Sequence, residues 1–545
     1  MKRLAEQVFI RKASGLTRVI SPWDALAYAF MNPGIMYCFL YLIWTMMLYP
    51  GVYMPTASIP GVILMFFPAL LYIWFSIAMP RSGGEYIWGS RIISPAWGFC
   101  AGWALSMVGL SWAGSCTYWA VSFGFNNALR SVAAATGPAY ASHPLWMLAD
   151  TIDSVPVMLV VGTLIIISFM AIMWRGAKAA MWLSWIGVIT GVLGHLVFWI
   201  AVGTSGGSAA FIQNFDAMSG TTYQAVIDAA RVGWADLGQP GPGQYITMTT
   251  VTGGITYVAL NTLGSTYTAN IMGEIKEVRK SAILAMLGAL ILFLVFWEVS
   301  YSLFYWGFTG EFWSAASYFA PGGAGYGSAV WPFPQMPMPF FMLVYLNNSA
   351  NYAVFVSLMF AACTYASCMG MAFGPVRNLF AYSFDRVLPT FFSKTDRRGS
   401  PWSAIVLGTI VAEIFFIINV YTYSWIAYSI LAWFFAWIIV SVVGILFVTT
   451  GRGKAIFEKS PEIVKKKVGG VSVMLIFAVL SLIVSVALDY YMLLPFLTGL
   501  ADALYIWITA LFFIIPPFVI YYISRAYHKS KGVPMELQFK EIPPD

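Results

Sequence analysis

The chain has 545 residues, of which 60% are hydrophobic and only 9% charged. Soluble domains carry about 25% charged residues, so with a mean hydropathy of +0.77 a water-facing globular protein is excluded. The net charge of +7 would suit a nucleic-acid binder, but the placement of the basic residues excludes that too.

A helix needs about 20 apolar residues to cross the hydrocarbon. Such segments begin near Trp23, Ile59, Pro95, Ser154, Ala179, Ile246, Ala282, Phe340, Trp402, Ser424, Val468 and Ala501. They predict an all-α integral membrane protein with twelve transmembrane helices, spans 1 to 12. A polar N-terminal segment, 1–20, precedes the membrane domain, 21–523, within which spans 1–5 cover about 21–203, spans 6–10 about 246–449 and spans 11–12 about 468–523. The tail, 524–545, is polar and expected to be disordered. An even number of crossings puts both termini on one side. All Lys and Arg except Arg130 and Arg231 then fall on that same side, in the termini and the 2–3, 4–5, 6–7, 8–9 and 10–11 loops. By the positive-inside rule that side is cytoplasmic and the site of action is the cytoplasmic membrane. Met1–Arg18 lacks an apolar core, so no separate signal peptide is expected. The aromatic share of 17% suits interfacial belts as well as packing.

Five cysteines, Cys38, Cys100, Cys116, Cys363 and Cys368, fall inside predicted spans, where Cys behaves as a small hydrophobe. Neither a metal site nor a structural disulfide is expected.

Two spans are not ordinary helices. Span 1 carries Met31–Asn32–Pro33–Gly34–Ile35 in its middle: Pro33 removes an N–H and disfavours helix before it, and Gly34 permits angles other residues avoid. Span 6 is interrupted by Asn261–Thr262–Leu263–Gly264–Ser265–Thr266. Broken backbone is tolerated in a membrane only where it is buried in protein or lines a cavity. Breaks at matching positions of two halves point to a transporter binding site. The breaks lie five spans apart, as expected of a five-plus-five inverted repeat with broken helices 1 and 6 and two extra C-terminal helices. A simple Pro kink and a Gly packing site are the alternative.

At these residues the sequence resembles the amino acid–polyamine–organocation (APC) superfamily of permeases. Four stretches carry the resemblance: the span 1 break Asn32–Pro33–Gly34–Ile35–Met36; PRSGGEYIWGSRIISPAWGFCAGW between spans 2 and 3; GEIKEVRKSAI after span 6; and RNLFAYSFDRVLPTFFSKTDRRGSPWSAI between spans 8 and 9. Asn32 and Pro33 stand where the family has Gly and a small residue, Thr266 where it has an acid, and Leu260 where an aromatic gate is frequent. The resemblance implies a secondary transporter of amino acids or related amines, working by alternating access as symporter or exchanger. A polyamine or organocation carrier of the same fold is the alternative. An intramembrane enzyme is the remote one, because the spans hold no paired acids, HExxH or Ser–Lys dyad.

By resemblance, the Gly34, Ile35 and Met36 N–H groups take a substrate carboxylate, and the Leu260 and Leu263 carbonyls its ammonium, next to Asn261, Gly264 and Thr266. A broken helix offers free N–H groups at a positive dipole end and free carbonyls at a negative one. Pro33 cannot donate; Asn32 either supplies its amide instead or caps the broken helix. Asp24, after Ser21–Pro22, reads as a helix cap, with ion coupling as the alternative. Ion-coupling candidates are His195 and Glu298, ionisable within spans 5 and 7, and Thr364 and Ser367, which share a face of span 8 where sodium-coupled relatives carry hydroxyls. Glu413 reads as a structural hydrogen-bonding group. The span 5 lysine of proton-coupled relatives aligns near Gly191 and is absent. Trp112, Tyr118 and Trp119 on span 3 line the path or simply pack. Glu274, Lys276, Arg377, Asp385 and Arg386 are candidates for a cytoplasmic gate, with a solvated charge run as the alternative. No cofactor is expected; coupling to H+ or Na+ stays open. The expected partners are a small-molecule amino acid or amine and membrane lipid, with no nucleic acid.

Overall fold

Inside hydrocarbon every backbone N–H and C=O must find its partner within the protein, which favours helices. The computed structural model describes residues 16–245, 248–422, 429–497, 504–533 and 535–539, and they are mostly helical. The expected starts at Ile246, Ser424 and Ala501 lie outside these residues, as do the basic residues through Lys12 and the final Pro543–Asp545. Among the described residues ten helices are long and apolar enough to cross a membrane: Pro22–Leu48, Met54–Ala78, Val155–Trp174, Ala177–Gly203, Val278–Phe308, Asn351–Phe384, Trp402–Thr422, Ile430–Thr449, Val473–Leu497 and Ile506–Ser530. They correspond to spans 1, 2, 4, 5 and 7–12. Span 3 is a helix, Pro95–Trp119, that passes through a π turn, Ala120–Phe125, into a helix Asn126–Ala134. Span 6 is split into a helix Met248–Asn261 and a 3₁₀ segment Leu263–Glu274.

Burial separates centre from rim. The apolar window of Pro22–Leu48 is 94% buried, against 28% for Val155–Trp174 and 22% for Ile506–Ser530. Span 1 is therefore the axis of the molecule, and spans 4 and 12 are its outer staves. Between spans, surface segments fold onto the bundle. Gly207–Met218 and Tyr223–Asp236 are helices that bury Phe211, Phe215 and Trp234.

Three expectations are corrected. Span 8 does not start near Phe340. A separate helix, Pro339–Asn347, ends where Asn348 turns left-handed (φ 48°), a conformation Asn tolerates better than most residues, and the long helix starts at Asn351. Span 11 starts at Val473, after a two-strand hairpin, Lys467–Val468 with Val471–Ser472, turned by Gly469 and Gly470 at positive φ; the protein is not purely α. The tail is not disordered over its described length. The last helix runs to Ser530, and a 3₁₀ turn, Met535–Phe539, buries Met535 and Phe539. Those two apolar side chains repay ordering that the polar residues around them would not.

Candidate functional site

Span 1 begins with a full capping box: Ser21 Oγ accepts from the Asp24 N–H (3.2 Å), and Asp24 accepts from the Ser21 N–H (3.1 Å). The helix stops at Asn32. Gly34 follows at φ 85°, where a β-carbon would sit 2.3 Å from the Tyr37 ring, and the chain restarts through Ile35–Tyr37 into Cys38–Leu48. Asn32 keeps helical angles (φ −55°, ψ −48°) although a residue before proline is normally pushed out of them.

The second break is longer. Leu263–Glu274 is twelve residues of 3₁₀ helix, a form seldom sustained beyond three or four. Its hydroxyls explain how it persists. Thr262, Ser265, Thr266 and Thr268 each donate to the carbonyl three residues back, at 2.7–3.0 Å. The segment is almost wholly buried, so neighbouring helices hold it as well.

The two breaks touch. Gly264 lies against the Pro33 ring, about 3.1 Å from where its own β-carbon would be, and Asn32 Nδ2 donates to the Gly264 carbonyl (2.9 Å). Asn32 thus closes the first half of span 1 as its C-cap, its N–H on the Tyr28 carbonyl (2.9 Å), while its side-chain amide ties span 1 to span 6. Beside this tie lies a narrow cleft, lined by Pro33, Leu260, Asn261, Leu263 and Gly264 from the breaks, with Tyr41, Trp112, Met371, Ile430 and Trp433 around them. Its walls carry no charge. Four polar atoms of these residues are buried without a hydrogen-bond partner: both amide atoms of Asn261 and the indole Nε1 atoms of Trp112 and Trp433.

Not every residue expected at the site lines this cleft. The Gly34 N–H donates to the Met31 carbonyl (2.9 Å). The Ile35 and Met36 N–H groups face the Cys363 thiol on span 8, and the Ile35 carbonyl accepts from Trp297 (2.8 Å). On that side of span 1, Gly187, Gly191 and Gly194 of span 5 pack against Met31, Ile35 and Met36. A β-carbon at Gly191 would already lie 3.0 Å from Ile35, so the position that aligns near the absent lysine has no room for one. The Thr266 hydroxyl is turned into its own backbone.

The ion-coupling candidates separate in the same way. Ser367 Oγ donates to the Asn32 carbonyl (2.7 Å), so one span 8 hydroxyl meets the span 1 break, while the Thr364 hydroxyl is buried without a partner. His195 lies outside the cleft, its Nδ1 on the Gly191 carbonyl (3.0 Å) and its Nε2 against Cys38 Sγ (3.5 Å). Glu298 accepts from Ser58 between spans 7 and 2, and Glu413 from Thr163 (2.6 Å); neither lines the cleft. Tyr118 faces a separate surface cavity with Arg130, Asp150 and Asp153, and Trp119 packs edge-on against Trp112 and Tyr37.

Below the cleft, the loops rich in Lys and Arg meet on one face, the basic face. Arg377 Nε and Nη2 donate to the two oxygens of Glu274 (2.7 and 3.4 Å), with the guanidinium stacked 3.6 Å over Phe373. Asp385 pairs with Arg91 (2.7 Å) and accepts from Tyr86 (2.9 Å). All four ions are buried. Lys276 joins through its backbone N–H, on the Ile20 carbonyl (2.9 Å). Arg386 sits at φ 63°, and its carbonyl takes bonds from Ser524 (3.0 Å) and His528 (3.1 Å). Gln538 of the tail, its amide oriented to suit its neighbours, reaches the Asp385 carbonyl and Arg386 Nε, and Phe539 covers Arg91 (5.3 Å).

A family model described as amino acid permease matches residues 20–495, which takes in both breaks, the cleft and the ion pairs. The chain belongs to the amino acid permease family. No curated protein matches it significantly. As a permease it is a multi-pass membrane transporter with a small-molecule substrate, and membership points away from an enzyme. The SGGEY motif that carries much of the resemblance also gains a physical reason. Gly83 and Gly84 are both at positive φ (107° and 36°), and β-carbons there or at Gly273 would press on Ala381, Asn270 Nδ2 and Ser82; the glycines let the 2–3 loop lie against the inner end of span 6. Arg91 as the partner of Asp385, and Tyr41, Met371, Ile430 and Trp433 as cleft residues, were not legible in the sequence. Trp433 sits in a run of aromatic residues on a uniformly apolar span, which marks none of them out.

Proposed function

We propose that this permease is a secondary active transporter that carries a neutral amino acid or a closely related amine by alternating access, as a symporter or exchanger. The basic face is cytoplasmic by the positive-inside rule, with both termini there and the protein in the cytoplasmic membrane. Twelve spans arranged as a five-plus-five inverted repeat with two further helices account for two breaks that adjoin five spans apart.

The observation that carries the reading is the uncharged cleft where the breaks meet, with its unsatisfied polar atoms. Buried polar groups are almost always hydrogen-bonded, so four orphans around one cavity mark a place where a polar ligand belongs. Asn261 Nδ2, Trp112 Nε1 and Trp433 Nε1 are donors suited to a carboxylate. The Leu260 carbonyl, at the negative C-terminal end of helix Met248–Asn261, and Asn261 Oδ1 are acceptors suited to an ammonium. Among the described residues no carboxylate lines the cleft, which disfavours polyamines and other cations that lack a balancing anion. The interior would hold about one water molecule, so binding requires the walls to part. The buried ion pairs of the basic face are the closure that holds them together, and Thr364, Ser367 and the Asn32 carbonyl are the place a sodium ion would couple to span 1.

Uptake into proteoliposomes tests the proposal. A labelled pool of neutral amino acids should accumulate under an imposed gradient, or exchange in counterflow, and excess unlabelled neutral amino acid should compete where polyamine does not. Transport blocked by polyamine alone would overturn it.

A further inference from the structure

Glu85 opens the short helix Gly84–Ile92 between spans 2 and 3, and it is 1% exposed. Unlike Glu274 and Asp385, it has no basic group against it among the described residues. Its Oε2 accepts from Asn270 Nδ2 (2.7 Å), on the inner segment of span 6. The same Nδ2 meets Asn378 Oδ1 on span 8 (3.0 Å), Asn378 Nδ2 donates to Ser106 on span 3 (3.0 Å), and Ser106 pairs with the Tyr382 hydroxyl (2.9 Å). The elements that open or shut the basic face therefore converge on one carboxyl through neutral groups. The titratable groups facing it are the hydroxyls of Tyr72 on span 2, Tyr267 on the inner segment and Tyr382 on span 8. The charges of the same region are held in the Arg91–Asp385 and Arg377–Glu274 pairs.

We infer that Glu85 is a proton-binding site of the transport cycle, protonated while the basic face is closed and giving its proton to the cytoplasm when that face opens. This rests on the transporter reading and deepens it by assigning H+ to a residue. The physics is that of a carboxylate shut in without a cation, which is strongly disfavoured; burial pushes Glu85 up to about 7. Opening the gate pulls Asn270 and Asn378 away and admits water, and the carboxyl returns toward its ordinary range near 4.3. The closed state then binds one more proton than the open state between those values. Closure is favoured as pH falls through that window, and opening as it rises. Glu85 touches no part of the cleft, so it acts through the gate as a positioning residue. Gly84 is what lets it do so, since a β-carbon there would lie 2.9 Å from Asn270 Nδ2.

The test uses the full-length protein and two readouts. In proteoliposomes, counterflow of the labelled neutral amino-acid pool is followed as the pH on the basic face is varied. The wild type should speed up several-fold with a midpoint near 7, Glu85→Gln should be slow and independent of pH, and Glu85→Asp should keep the dependence with a moved midpoint. Separately, infrared titration of the purified protein without substrate should show a protonated-carboxyl band that bleaches near pH 7 and is missing in Glu85→Gln. If Glu85→Gln does not fold, the same band and midpoint must shift in Glu85→Asp. An unchanged pH profile in either variant, or no such band in the wild type, overturns the assignment. Absence of counterflow at every pH together with a band that vanishes in Glu85→Gln would instead count against the transporter reading and leave the proton site standing.

Discussion

The proposed gate on the basic face and the cleft above it are both buried and both polar, yet they are built on opposite principles. At the gate almost every charge is matched: Arg377 with Glu274, Arg91 with Asp385, and Tyr86 bonded to the same Asp385. In the cleft there is no charge, and Asn261, Trp112 and Trp433 hold polar atoms with nothing to bond. A set of paired ions defines a resting arrangement, because breaking it strands a buried ion. An unsatisfied one describes a site that is complete only when something else is present. On the proposed reading, the contrast separates the residues that set which state the permease occupies from those that recognise what it carries.

The sharpest way to break the comparison is at the gate. Arg377→Ala leaves Glu274 buried and unpaired, which costs about 3–5 kcal/mol. The closed state should lose thermal stability, and the basic face should become reactive to a water-soluble probe in a reporter variant. The cleft should behave in the opposite sense. Asn261→Ala removes orphaned atoms, so stability without substrate should change little, while affinity should fall by about 1.5–3 kcal/mol for a lost bond to a charged ligand group. Equilibrium binding would show this as roughly tenfold to a hundredfold. Gly34→Ala strains the span 1 break at φ 85° by about 1–3 kcal/mol and should lower stability and uptake together, since the same bend shapes both regions. The smallest effect is expected from deleting 535–545, which uncovers Arg91 and removes a cation–π contact of about 0.5–2 kcal/mol. A modest drop in melting temperature with uptake retained is the expected outcome.

How much of this was legible in the sequence follows from what each feature depends on. The breaks announce themselves locally, because Pro33–Gly34 and Asn261–Gly264 interrupt apolar runs whatever surrounds them. The capping role of Asp24 is equally local. The apolar lengths of most spans are local too; Phe340 misled because the apolar stretch Phe340–Leu346 is a helix of its own, divided from the long one by Asn347–Asn348–Ser349 and the left-handed turn at Asn348. The cleft is a product of tertiary packing: Trp433 and Tyr41 reach it from spans with no motif, and the N–H groups of Ile35 and Met36 point at span 8 because the span 5 glycines let span 1 settle close. The same dependence explains the tail, where two apolar residues, Met535 and Phe539, find a face that only the folded bundle provides.

The central claim is that the cleft between the two breaks is where substrate is held. It is tested most directly by the shift in melting temperature of the purified permease on adding neutral amino acids, compared between wild type and Asn261→Ala. A ligand that binds only the folded protein raises its stability in proportion to occupancy. The account predicts a clear upward shift in the wild type and, from the same starting temperature, a much smaller one in Asn261→Ala. An equal shift in both proteins would contradict it and place the substrate elsewhere.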